Sequence, residues 1–254
     1  MIELKNIHGI VVNSMKYKEN NLILKLYTRE LGMVSLLVRN KKNFLPLSYE
    51  VFAESCFTLE RGKNFYYCTD YELINSHYEI RHNIKVYSFI NLFVNIIELS
   101  IMENMVDYKS YDLFIKTLDF LKIPEDDFFN IVNGFLIKYI SFQGFKPLLN
   151  LELLNSCSDF IFSLEEGIFI GLEDSKVKHN EIVFRKYELE YLYALLYNRL
   201  EILGKFDIDI YSKEKIFNSL IEYIKYIYDI PQLHSMNFIE RMCLSEKWRK
   251  QHGK

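Results

Sequence analysis

Polar and apolar positions in residues 8–42, HGIVVNSMKYKENNLILKLYTRELGMVSLLVRNKK, follow a two-residue period interrupted by turns. Within residues 21–28, Leu22, Leu24 and Leu26 fall on one side and Ile23, Lys25 and Tyr27 on the other. That alternation marks a half-buried strand. Thr28-Arg29-Glu30-Leu31-Gly32 then reads as a turn, with Gly32 free to adopt the positive φ that a tight reversal needs. Extended patterns also cover residues 7–15, 33–39, 51–59 and 65–74. The last two flank Glu60-Arg61-Gly62-Lys63-Asn64, a hairpin signal with glycine inside the loop. Five short strands within residues 1–80 predict a small Greek-key barrel.

Beyond residue 80 the period lengthens to about 3.6. Val86, Ile90, Phe93, Ile97 and Ile101 share one helical face, and so do Phe128, Val132, Phe135, Tyr139 and Phe142. The second set follows a helix-start signal at Pro124-Glu125-Asp126-Asp127. Leu192, Leu195, Leu196, Leu200 and Leu203 predict another helix, closed at Gly204. Phe217, Leu220, Ile221, Ile224 and Tyr228 predict one more, stopped before Pro231. Between them, residues 160–172 read as a small hairpin turning at Glu165-Glu166-Gly167. The expected fold is therefore α+β: a barrel over residues 1–80, then a mainly helical domain over 81–254 with a hairpin insertion near 155–180.

Composition narrows what such a fold can do. With 31 Lys+Arg against 34 Asp+Glu the net charge is −3, so the molecule as a whole exerts no long-range attraction on a polyanion. Any grip on nucleic acid has to come from local clustering of cations. The 254 residues are half hydrophobic and 16 % aromatic, which argues for a packed globule. Cys56, Cys68, Cys157 and Cys243 form no Cys-x-x-Cys pair, and residues 1–20 carry no uninterrupted apolar run, so a reducing cytoplasm is expected. The most apolar window, residues 87–105, contains Asn91, Asn95, Glu98 and Glu103 and is too polar to span a bilayer.

The candidate chemistry lies in the barrel's loops. Arg39, Lys41 and Lys42 leave the third strand together, Arg61 and Lys63 sit in the hairpin, and Lys16 and Lys18 occupy the first turn. A barrel that gathers these seven cations at one rim holds a strand by its phosphates, and exposed rings among Tyr17, Tyr27, Phe65, Tyr66 and Tyr67 supply stacking surfaces. Catalytic signals are lacking. Glu125-Asp126-Asp127 complements a helix dipole, the six histidines are scattered, and nine glycines include no phosphate-cradling loop. Neither enzymatic activity nor a cofactor is expected. The competing reading is a protein-interaction scaffold whose barrel ignores nucleic acid.

Gly9-Ile10-Val11, Tyr17-Lys18-Glu19-Asn20-Asn21-Leu22-Ile23, Thr28 through Gly32, and Arg39-Asn40-Lys41-Lys42 follow one another in the first 42 residues. This order of motifs resembles the recombination mediator family RecO, whose members open with Gly-Ile-Val, Tyr-x-Glu-x-(Asp/Asn)-x-Ile, Thr-x-x-x-Gly and a basic loop. Gly144-Phe145-Lys146-Pro147 matches a Gly-Phe-x-Pro element, and Gln232-Leu233-His234-Ser235 stands where the family has a Leu-Lys-Ser-like segment. The resemblance implies an oligonucleotide-binding (OB) barrel that binds single- and double-stranded DNA and anneals complementary strands. It also implies help in loading RecA onto DNA coated by single-strand binding protein, with RecR and the acidic tail of that protein as partners, in the cytoplasm at the nucleoid. The family often carries two Cys-x-x-Cys pairs after Gly-Phe-x-Pro. Here Cys157 stands alone, with Phe160 three positions on and His179 the one nearby histidine, so no zinc is expected. Apolar packing around Phe160, Phe162, Ile168 and Phe169 takes the metal's place in this reading.

Overall fold

The structure, a computed structural model, describes residues 3–18, 21–39, 46–122, 128–148, 152–155, 157–172 and 177–242. It divides into two compact units, residues 1–90 with 94–118 and residues 91–93 with 119–254.

In the first unit, strands β1 (Glu3–Tyr17), β2 (Asn21–Thr28), β3 (Gly32–Arg39), β4 (Glu54–Arg61) and β5 (Tyr66–Asn75) close into an OB-like barrel in the order β1-β2-β3-β5-β4. The long β1 serves both sides. Its first half pairs β4 from Glu3↔Glu60 to Ile10↔Glu54, and its second half pairs β2 from Gly9↔Thr28 to Tyr17↔Asn21. A bulge between Val11 and Asn13 bends it from one neighbour to the other. Among the described residues, closure rests on a single parallel pair, Leu36↔Tyr66. Inside, Ile7, Val11, Leu24, Leu26, Val34, Leu36, Phe57 and Leu59 form the core, roofed by Tyr49. The inward leucines of β2 are those expected from alternation.

Helix α1 (Tyr78–His82) leads into α2 (Ile84–Ser100), whose N-cap Asn83 accepts from the backbone N–H of Lys85 and Val86. Ile101 caps the far end of α2 instead of extending it. Helix α3 (Tyr108–Phe120) covers the outer face of β2: the Tyr27 ring lies 5.3 Å from Tyr111 and 6.0 Å from Phe114. Ion pairs fasten this unit, among them Lys25 to Glu98 at 3.0 Å, Arg29 to Asp112 at 2.8 Å and Arg81 to Glu50 at 2.7 Å. The turn glycine has the expected positive φ of 69°, and a side chain there would run into the backbone of Met105.

The second unit contains α4 (Phe128–Phe142), strands β6 (Asp159–Ser163), β7 (Ile168–Gly171) and β8 (Glu181–Arg185), then α5 (Lys186–Tyr197), α6 (Ile210–Ile227) and α7 (His234–Met242). The expected hairpin is two strands of a three-stranded sheet ordered β7-β6-β8, and Gly167 turns it with φ +66°. Phe162 packs on Phe169 at 4.6 Å and Tyr223 at 4.9 Å, while Phe169 meets Phe184 at 5.3 Å. Phe160 is buried in the same sheet. The helix expected to run through to Gly204 breaks instead. Asn198 is extended, with ψ 157°, and a 3-10 turn Leu200–Lys205 follows. The break is held by Lys138, whose ammonium donates to the Leu196 and Asn198 carbonyls at 2.9 and 2.6 Å. Burial lowers the pKa of that ammonium.

Candidate nucleic-acid interface

Cross-strand neighbours share a face of the sheet, so the register locates the barrel's outer surface. Two rows matter. Met15, Ile23 and Leu37 stand side by side on β1, β2 and β3, facing away from the core. Next to them, toward the strand ends, Tyr17, Asn21 and Arg39 form a second row. Met15 is 53 % exposed, and Ile23 and Leu37 are half-buried. The outer face of β1–β3 is thus apolar in the middle and cationic at its end.

The turn between β4 and β5 reaches the same end. Gly62 N–H donates to the Phe65 carbonyl at 2.9 Å, which tightens the loop, and the Phe65 ring packs on Tyr17 with centroids 6.1 Å apart. Lys18 lies over the other partner of that contact, its ammonium 5.4 Å from the Tyr17 ring, in a residue with φ +54°. The Tyr17–Phe65 contact therefore brings Lys18 of the first turn toward the β4–β5 turn with Arg61 and Lys63, whereas Lys16, still in β1 and paired with the inward Leu22, lies on the face of the strand opposite Tyr17. Arg39 lies two strands from Tyr17 through Asn21, roughly 10 Å at ordinary strand spacing.

All five of these cations are exposed, and among the described residues none is in an ion pair. This separates them from Lys5, Lys25 and Arg29 of the same barrel, which hold Glu3, Glu98 and Asp112. Lys41, Lys42 and Asn40 lie outside the described residues, as do Pro124 through Asp127 and the basic segment 246–254. Of the candidate rings, Tyr27 is buried under α3 and unavailable to a base. Tyr17, Phe65, Tyr66 and Tyr67 are partly exposed. Met15 and Leu37 were not among the residues expected to take part. Their signal lies in the alternation Asn13, Met15, Tyr17, which gains meaning only once β2 and β3 are set beside it.

Chemically, the surface offers sequence-independent attraction for phosphate beside a flat apolar area for bases. A separate groove of about 840 Å³ opens in the second unit among β8, α6 and α7. Its rim lysines are engaged, Lys215 with Glu188 at 2.5 Å and Lys225 with Glu222 at 2.9 Å, and Glu181 and Glu240 share the lining. No helix among the described residues is long and apolar enough to cross a membrane. Among those residues, too, no three of His, Cys, Asp or Glu gather into a metal-binding group.

Comparison with known proteins bears on the family of the chain. The family model for the N-terminal domain of recombination protein O matches residues 1–77, and the C-terminal model matches residues 81–237. The DNA repair protein RecO of Alkaliphilus metalliredigens is 23 % identical over 245 residues, 92 % of this chain and 98 % of its own. That of Clostridium acetobutylicum is 23 % identical over 159 residues, 61 % of this chain and 63 % of the relative. The RecO of Acetivibrio thermocellus is 26 % identical over 142 residues, 55 % and 57 % of the two chains. With the two domain models covering both parts of an OB-like barrel and helical protein, this chain belongs to the RecO family of DNA repair proteins.

Proposed function

We propose that this protein is a non-catalytic recombination mediator that binds single- and double-stranded DNA, anneals complementary strands and assists RecA on DNA coated by single-strand binding protein. Its partners in this reading are RecR and the C-terminal tail of the single-strand binding protein, and it works in the cytoplasm at the nucleoid. One observation supports the proposal: Lys16, Lys18, Arg39, Arg61 and Lys63 are exposed near strand ends and free of ion pairs among the described residues, and the Tyr17–Phe65 contact joins the first turn to the β4–β5 turn. Annealing asks for little more. A cationic surface brings two polyanions together, and contacts confined to phosphate leave base edges free to pair. Lys41 and Lys42 belong to the same proposed surface, since they follow Arg39 directly.

The test is binding of a fluorescent single-stranded oligonucleotide at about 50 mM salt, where counterion release makes phosphate contacts strongest. Changing the five described cations to alanine is expected to weaken binding roughly a hundredfold and to slow annealing in parallel. The net charge of −3 favours a second reading, a scaffold that binds only proteins. Absence of binding in the parent, or binding indifferent to the fivefold change, decides for that reading.

A further inference from the structure

Strand β5 departs from the alternation of its partner β4. From Thr69 to Ile74 six consecutive residues are exposed, including Tyr71, Leu73 and Ile74 at 41, 38 and 50 %. The cause is topological. Beyond its one pair with β3, Leu36↔Tyr66, β5 pairs only with β4 among the described residues. The barrel is closed at one level and left with an edge above it. The edge shows in the hydrogen bonds: Tyr71 N–H is taken by its neighbour's carboxylate, Asp70 Oδ1 at 2.9 Å, and so points away from β4. Phe57↔Tyr71 and Ser55↔Leu73 are in one register, so Leu73 N–H points the same way. The Tyr49 ring packs on Tyr71 at 5.2 Å, but no second strand pairs with this stretch among the described residues, and an edge of that kind with apolar side chains is where another chain adds a strand.

Charge selects the kind of chain. Asp70 and Glu72 lie opposite Thr58 and Cys56, and His8, the partner of Cys56 on β1, brings Glu30 to the same side of the barrel. Burial, then Glu72 and Glu30, push the Cys56 thiol's pKa up. Phosphate is repelled here. A second copy of this chain is disfavoured as well: antiparallel self-pairing centred on the exposed stretch sets Glu72 of one copy within two residues of Glu72 of the other.

We propose that the free edge of β5, residues 69–74, accepts an extended strand from a partner protein in which apolar and basic residues alternate. The partner's backbone bonds to Tyr71 and Leu73, its apolar side chains cover Tyr71 and Leu73, and its cations meet Asp70 and Glu72. This surface is distinct from the cationic rim, so one barrel holds DNA and a protein strand at once.

The test uses the full chain and an acetylated, amidated decapeptide of alternating valine and lysine. Amide exchange is followed by NMR. Exchange at Tyr71 and Leu73 is expected to slow at least tenfold with the peptide. It should stay unchanged with a valine–glutamate peptide or with a valine–lysine peptide N-methylated at every residue. The double variant D70K/E72K, checked for unchanged exchange in the barrel core, should lose the effect. Equal protection by the N-methylated peptide, protection surviving in the variant, or no protection at all overturns the proposal. So does protection of these amides in the parent alone that rises with protein concentration, since the occupant would then be a second copy.

Discussion

Asn130, 1 % exposed on α4, uses its whole amide. Its Nδ2 donates to the Leu203 and Phe206 carbonyls, both at 2.9 Å, and its Oδ1 accepts from the Tyr191 hydroxyl at 2.5 Å. One side chain thus ties α4 to the 3-10 turn after α5 and to α5 itself. Replacement by leucine keeps the volume but leaves two carbonyls and a hydroxyl buried without this partner. Since each orphaned group costs about 1–3 kcal/mol, Asn130→Leu is expected to lower stability by roughly 3 kcal/mol in urea unfolding while leaving oligonucleotide affinity unchanged. Asn133, a turn away, makes the contrast. Its Nδ2 donates to the Lys213 carbonyl at 2.9 Å, but its buried Oδ1 has no partner, so less hydrogen bonding is lost on its removal. Neither role is legible in the sequence, where both are polar residues on an apolar helix and nothing tells which carbonyls await them.

Elements were legible where one face decides. The alternation of β2 named its inward leucines correctly, and the 3.6 period found α2, α4 and α6. The reading failed where the partner is remote in sequence. Alternation alone does not say which of the five barrel rings are exposed; α3, a helix the sequence reading lacks, buries Tyr27 under Tyr111 and Phe114. Its apolar positions are interleaved with Lys109, Asp112, Lys116 and Asp119. The helix through Leu200 and Leu203 was overextended because leucine spacing is indifferent to a lysine some 60 residues away that takes its carbonyls. β8 went unread because Glu181-Ile182-Val183-Phe184-Arg185 is only five residues long and runs directly into α5. Gly32 combines both kinds of information. Its positive φ was foreseeable from the turn; the obstruction by Met105, beside the Asn104 N–H bond to the Met33 carbonyl at 3.1 Å, was not. Left-handed backbone costs an alanine about 1 kcal/mol, and the displaced segment adds an overpacking term. Gly32→Ala should therefore destabilise by more than about 2 kcal/mol, read as a lowered unfolding midpoint, whereas Gly144→Ala, with φ +90° and open space around it, should lose only the backbone part.

On the scale of the molecule, a net charge of −3 conceals segregation. Lys16, Lys18, Arg39, Arg61 and Lys63 are exposed near strand ends of the barrel without ion pairs among the described residues, while Asp70 and Glu72 stand on β5. Salt dependence distinguishes such a focused patch from diffuse attraction. At physiological salt the screening length is about 8 Å, so only groups close to a bound strand still act on it. If about four phosphates are neutralised on single-stranded DNA, log K falls against log salt with a slope of roughly −2.8, about a fiftyfold loss of affinity between 50 and 200 mM. The patch makes a sharper demand than the slope alone. Arg39→Ala and Arg61→Ala should each reduce its magnitude by about 0.7, because each removes one released counterion. Lys25→Ala should leave the slope unchanged, since that ammonium is committed to Glu98. An equal effect of all three substitutions would mean that DNA responds to overall charge, and a slope much shallower than −1 in the parent would mean that phosphate is not what this rim recognises.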